Sequence, residues 1–204
     1  MSAKAGRPID HQKDLDILHV ARQLVFAEGP QALTMDKVAT LAGISKVTLY
    51  ARYANRYELL RAVVSSEAFG IHKSLGRIPV NREELCADLC DLIEAITAFI
   101  GSDRHQCLMQ ALGSIPQQAQ DLSEVYRNGP ERTHRVLAEY LQEAAQRGLI
   151  RCPEPVESAE MLMGMVTGLD LLRGLYRVPL EGRSEEVRRQ HALRIMTAFM
   201  AIHA

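Results

Sequence analysis

Residues Thr34 to Arg56 read TMDKVATLAGISKVTLYARYANR, and this stretch decides the fold. Two short helices meet there at a tight turn. The Thr34 hydroxyl is placed to accept from the free backbone N–H groups of an opening helical turn. Val38, Ala39 and Leu41 supply an apolar stripe. Gly43 ends the helix where the left-handed conformation strains a residue without Cβ least. Ile44 turns the chain inward, and Ser45 caps a second helix through Lys46, Val47, Thr48, Leu49 and Tyr50. In a helix-turn-helix, the second helix lies in the major groove of DNA and the first braces it across the backbone.

Helix, glycine, helix recurs by chance in many helical proteins, so the side chains carry the weight. Lys46, Thr48, Tyr50 and Arg52 are donors of the kinds used on base edges and phosphates. Next comes Asn55-Arg56-Tyr57-Glu58, a capping box for a further helix. A cation such as Arg56 in the first turn works against the helix dipole. A phosphate held jointly by Arg56 and the free N–H groups accounts for its place.

Thr34 to Leu60, with Gly6-Arg7-Pro8 and the Ala21…Phe26…Gly29 helix before it, resembles the TetR/AcrR family of one-component transcriptional repressors. The family's run Gly-Val-Ser-Lys-x-Thr-Leu-Tyr is matched by Gly43-Ile44-Ser45-Lys46-Val47-Thr48-Leu49-Tyr50, and Tyr53, Asn55 and Arg56 match the aromatic, Ser/Asn and Lys that follow. The chain departs at Pro30, where an aromatic is frequent, at Val47, where a small residue is frequent, and at Ala54, where Pro is frequent. Arg56 in place of Lys keeps the charge, whereas Val47 puts the base preference in doubt. The strong match covers roughly the first third of the chain.

The resemblance implies an all-α protein. An N-terminal three-helix DNA-binding head, residues 1–54, precedes a helical effector-binding and dimerisation body, residues 55–204. The DNA-binding candidates are Thr34, Ser45, Lys46, Val47, Thr48, Tyr50, Arg52 and Arg56. Thr48, Lys46 and Arg52 are the expected base readers, while Thr34, Tyr50 and Arg56 hold phosphates.

Composition agrees. The 204 residues, 47% hydrophobic and 24% charged, are ordinary for a globular chain with a sizeable core. No apolar run approaches the roughly 20 residues of a membrane helix, and no secretory signal precedes the basic start. A cytoplasmic location is expected. Net charge is −1 but uneven: residues 1–61 hold nine Lys/Arg against six Asp/Glu, and the remainder fifteen against nineteen. A basic head on an acidic body suits site-directed DNA binding better than general coating.

Before the turn, Lys4 and Arg7 sit in a polar arm that either reaches DNA, as N-terminal arms do, or is a solvated tail. His11 to Glu28 is a helix with Ile17, Val20, Ala21, Leu24 and Val25 at core spacing, stopped by Gly29-Pro30. After the turn, Asn55 to about Leu75 reads as one long helix running from head to body.

Arg82 to Gly101 carries Leu85, Leu89, Leu92, Ile96 and Phe99 in one stripe and Cys86, Cys90, Ile93 and Ile100 beside it. Glu84, Asp88 and Asp91 mark a polar edge. So wide an apolar arc needs burial on two sides. Cys86 and Cys90, at i and i+4, could bind a metal or sense oxidants, but they lack His or Cys neighbours at metal spacing and read better as small buried hydrophobes. Cys107 and Cys152 are scattered, which argues against a disulfide framework.

Further helices are expected over Asp103–Ile115, Gln118–Arg127, Pro130–Arg147, Ser158–Tyr176 and Ser184–His203. His105, Met109, Leu112, Tyr126, His134 and Met165 are candidate effector contacts. A Met, aromatic and His lining suits an apolar cavity with a few polar contacts, but each residue taken singly more often belongs to an ordinary core; the resemblance strengthens the cavity reading. Gly164, Gly168, Leu172, Met196, Phe199 and Met200 are candidates for a homodimeric four-helix interface on the last two helices. Asp170, set among leucines, either pairs along its own helix with Arg173 or Arg177, the preferred reading, or contacts a partner subunit or ligand.

There is no phosphate-cradling glycine loop, nucleophile elbow or spaced Cys/His set. An enzyme is not expected, nor a cofactor or metal. The reading is a DNA-binding regulator, most simply a repressor released from a palindromic operator by a small-molecule effector. The alternatives are an activator with the same head, or a non-catalytic small-molecule-binding or interaction protein whose helix-turn-helix is only structural.

Overall fold

The computed structural model describes residues 11–67, 73–116, 122–176, 178 and 184–204. The arm with Lys4 and Arg7, Arg177, and parts of two expected helices (68–72 and 117–121) lie outside them. Among the described residues there are helices and no strands, as the all-α expectation requires. No described helix is long and apolar enough to cross a membrane. Packing divides the chain into two compact units, Met1–Val64 with Gln110–Gln120, and Ser65–Met109 with Asp121–Ala204. The break after Val64 falls inside a helix, whereas the functional division expected after Ala54 falls before it.

The first unit opens with α1 (His11–Glu28), a 3-10 turn (Pro30–Ala32), α2 (Met35–Leu41) and α3 (Lys46–Tyr50), and includes most of α4 (Arg56–Glu67). Ile17, Ala21, Leu24 and Val25 of α1 are buried, with Leu33, Val38, Ala39, Leu49, Leu59, Leu60 and Val63. Each helix start has its own cap. Thr34 Oγ1 accepts from the N–H of Lys37, Ser45 Oγ from that of Thr48, and Asn55 Oδ1 from those of Tyr57 and Glu58. The Glu58 carboxylate accepts from Arg61, so the box is closed by Asn55 alone. Gly43 takes φ 64°, as a left-handed helix end demands.

Leu41 departs from expectation. It is 57% exposed, and Met35, one turn and a half earlier, fills the buried stripe in its place.

The second unit is built on α5 (Arg82–Ile100), capped by Asn81. It continues with α6 (Asp103–Gly113, as far as Met109), α7 (Ser123–Asn128), α8 (Pro130–Gln146), α9 (Pro155–Thr167), α10 (Asp170–Leu175) and α11 (Glu185–Ile202). Helix α5 packs on α9, α10, α11 and the 3-10 turn Lys73–Leu75, and α8 packs on α9. Its wide apolar arc is thus buried on more than one side. The described end of the expected 55–75 helix is that 3-10 turn.

Two further expectations change here. Asp88, read as polar edge, is buried and accepts a 2.6 Å hydrogen bond from Tyr140 Oη. A buried carboxylate needs such a donor. The expected Ser158–Tyr176 helix is broken at Gly168, whose φ of 41° is outside helical space, and α10 restarts after it. Asp170 Oδ1 pairs with Arg173 at 2.6 Å, the local pairing anticipated.

Candidate nucleic-acid interface and body sites

Helix α3 is five residues long, too short to persist alone. Its position is fixed by the Ser45 cap at one end and Leu49, fully buried, near the other. With Leu49 inward, Val47 is 80% and Tyr50 49% exposed, and Lys46 is exposed beside them. These three form the outward surface of the helix. Thr34 and Ser45 are exposed, with their oxygens occupied as caps.

Three candidates are held differently from the sequence reading. Thr48 is half-buried, and its hydroxyl lies 2.8 Å from that of Ser45. Arg52 donates through Nε to Asp14 of α1 at 2.7 Å, with a second contact to the Thr48 carbonyl. Its side chain is 19% exposed, so in this arrangement it braces α3 against α1 and does not face outward. Arg56 donates to the Pro30 carbonyl at 3.3 Å and to Gln31 Oε1 at 3.5 Å, and its guanidinium lies over the Tyr57 ring. Its Nε is buried without a partner.

Sequence reasoning missed the acids. Lys46 Nζ meets Asp36 Oδ1 at 2.8 Å, and Lys37 Nζ meets Glu28 Oε2 at 2.6 Å. The first pair follows from the tightness of the turn and was within reach of the motif. Asp14 and Arg52 stand 38 positions apart, and no local spacing announces them.

In the second unit the effector candidates do not converge. His105 is buried, edge-on to Phe99 with ring centroids 5.2 Å apart, and its Nδ1 has no hydrogen-bond partner. Burial pushes its pKa down, opposed by the Ile100 carbonyl. Met109 and Tyr126 are exposed. Met165 is half-buried against the core. Leu112 falls in the first unit. His134 Nε2 donates to the Val156 carbonyl at 3.0 Å. It lines an open cleft of ≈ 730 Å³ with Ala138, Ala145, Cys152 and Val156, rimmed by Glu131 and Arg135.

The dimer candidates also separate. Phe199 and Met200 are 0% and 6% exposed within their own chain and belong to its core. They are not available to a partner. Met196 is half-buried against the same core. Leu172 is 50% exposed, as are Leu193 and Met161 to smaller extents. A Cβ on Gly164 would meet nothing within 4 Å, so no close approach inside the chain explains that glycine. All four cysteines are free, and burial pushes the thiols of Cys86 and Cys90 up, away from thiolate chemistry.

Known proteins match both units. Residues 17–63 match the family described as bacterial regulatory proteins, tetR family. Residues 87–204 match the C-terminal domain of AefR-like transcriptional repressors. The helix-turn-helix transcriptional regulator YdeS of Bacillus subtilis is 27% identical over 100% of this chain and 96% of its own. A transcriptional regulator of Mesorhizobium loti shares the fold with a TM-score of 0.80 at 22% identity, over 97% of this chain and 100% of its own. The flavonoid-responsive regulator FrrA superposes with a TM-score of 0.68 at 23% identity, over 95% and 97%.

Proposed function

The chain belongs to the TetR family of bacterial regulatory proteins, and from that premise we propose that it is a cytoplasmic homodimeric repressor released from a palindromic operator by a small-molecule effector. The observation that carries the reading is the surface of α3. Leu49 anchors the helix from behind while Lys46, Val47 and Tyr50 project. A structural relic would have no use for that outward set.

In this reading Lys46, Val47 and Thr48 meet base edges, and Thr34, Tyr50 and Arg56 take phosphates. Arg52 acts through its Asp14 brace, setting the angle of α3. Residues 1–54 are the DNA-reading part and residues 55–204 the regulatory part. Two recognition helices about 34–36 Å apart would match one helical turn of DNA. The exposed Gly164, Leu172 and Leu193 are the partner-facing set, replacing Phe199 and Met200. The effector is bound in the body, with buried His105 its first polar contact. FrrA, of the same fold, is by its name flavonoid-responsive, which supports a small-molecule effector here. By linkage, DNA weakens effector binding by the factor with which effector weakens DNA binding. No enzymatic step is needed.

Capture of sheared genomic DNA on the purified protein, followed by sequencing, tests the proposal. An enriched palindrome is expected. No enrichment at low salt would overturn it in favour of a non-catalytic small-molecule-binding protein. Enrichment beside genes whose transcription falls when the protein is removed would replace repressor by activator.

A further inference from the structure

Four cations stand on or beside the helices of the turn, and they are not equally free. Lys37, Lys46 and Arg52 each meet a carboxylate, those of Glu28, Asp36 and Asp14. Arg56 meets neutral groups, the Pro30 carbonyl, the Gln31 amide oxygen and the Tyr57 ring. The Arg52 pair is sunk into the unit, with side chains 19% and 29% exposed, whereas the Lys46 pair is 61% and 68% exposed. Lys46 is the first residue of α3 and Asp36 lies in the first turn of α2, so the turn itself brings them together. The carboxylate occupies the position on Lys46 that a DNA phosphate would otherwise take. Its hydrogen bond and charge both hold the ammonium in its protonated form.

We infer that Asp36 is a built-in counterion of Lys46 that stands in for a DNA phosphate, and that it is a specificity-determining residue for DNA recognition. The inference rests on the DNA-binding reading of α3. Binding to any duplex draws on release of counterions by cations that meet phosphates. A lysine already neutralised by a carboxylate has no such contribution to make. Exchanging Asp36 for a phosphate replaces one exposed ion pair by another and leaves the Asp36 carboxylate facing a polyanion. On a non-specific duplex Lys46 therefore stays on Asp36. A guanine edge offers two acceptors, O6 and N7, in fixed geometry, and there the exchange is favourable. An exposed pair is weak, so the correct base can open it. Lys46 thereby discriminates among sequences in place of adding uniform grip, and Asp36 is what makes it do so.

The test needs no operator. Binding of the full chain to a short random-sequence duplex is followed by fluorescence anisotropy over a range of salt concentrations. Asp36→Asn is expected to bind about two- to fivefold more tightly at low salt, with a slope of log K against log salt steeper by about 0.9. The same substitution added to Lys46→Gln should leave the slope of that variant where it was. An unchanged slope in Asp36→Asn overturns the inference. So does an equal steepening without Lys46, because Asp36 would then act only as a negative charge. Should Asp36→Asn melt early, Asp36→Ser, which also keeps a polar first turn in α2, is read in the same way. A wild-type chain that fails to bind the duplex at the lowest salt removes the DNA reading itself, a different result from a bound wild type that Asp36→Asn fails to change.

Discussion

In the first unit, α2 and α3 are seven and five residues long, and each begins at a side-chain cap. In the second, α5 and α8 are nineteen and seventeen residues long and share a continuous apolar core. Helices as short as the former cannot hold themselves. Their geometry is dictated by polar groups at fixed offsets: Thr34 on Lys37, Ser45 on Thr48, Asn55 on Glu58. The long helices are held by burial, which is indifferent to direction as long as enough apolar surface is covered. The first unit is therefore specified locally and the second collectively.

The sharpest way to break that comparison is at Phe199, fully buried in the second unit. Phe199→Ala is expected to lower its stability by about 3–5 kcal/mol, seen as an early urea transition. Leu172→Glu, at a half-exposed position, should leave the monomer's unfolding unchanged and shift sedimentation toward the monomer. If Phe199→Ala dissociated a still-folded dimer, the assignment of core and interface would be reversed.

Next in size is Leu49, through which α3 is anchored. Leu49→Ala is expected to remove about 2–5 kcal/mol from the first unit and to abolish DNA binding. Because the remaining support of α3, the Ser45 cap and the Arg52–Asp14 brace, lies within the first unit, the second unit's transition should stay in place. A single merged transition that moves as a whole would show that the two units do not unfold separately.

These positions also mark what could be read from the sequence. The caps, Gly43 and the helix order were legible because each depends on neighbours within four residues. Leu41 and Met35 were exchanged because both lie near the apolar face of a two-turn helix, and only packing against α1 and α3 chooses between them. The same ambiguity, enlarged, misplaced Phe199 and Met200. Helix α11 is apolar enough on one side to suit a partner or a core, and the position of α5 decides. Arg52 was assigned to bases because the carboxylate that holds it, Asp14, is distant in sequence. Asp88 was assigned to solvent because Tyr140, which satisfies it, lies 52 positions away.

That last pair gives a smaller effect. Tyr140→Phe leaves the buried Asp88 carboxylate without its 2.6 Å donor, and should cost about 1–3 kcal/mol with the fold intact. Burial and the Asp88 hydrogen bond push the Tyr140 phenol up, so in an alkaline absorbance titration Tyr140 should stay un-ionised at the pH where the exposed Tyr50, Tyr126 and Tyr176 form phenolate. His105 contributes less again. Burial holds its folded pKa below 6.5, so the unfolded chain binds the proton more tightly. Its stabilising contribution is complete above pH 6.5 and is lost as pH falls below that value. The slope is at most about 1.4 kcal/mol per pH unit for one proton. His105→Leu should flatten the acid side of the stability profile; an unchanged profile would mean that other groups set it.

The smallest effect on stability is expected at Val47, and it is the one that best separates the two modes of specification. Val47 is 80% exposed as the second residue of α3, with Leu49 carrying the packing and Ser45 the cap. Val47→Ala or Val47→Thr should change stability by no more than about 0.5 kcal/mol, because neither the anchor nor the cap is touched. Either substitution should nevertheless alter which sequences are enriched from sheared DNA, since an apolar side chain at this place can meet a thymine methyl and a hydroxyl can meet most base edges. A uniform loss of affinity with the same enriched sequence would place Val47 against the sugar-phosphate backbone. A stability loss of several kcal/mol would show that α3 is held through its outward face, and that the cap and Leu49 alone do not specify it.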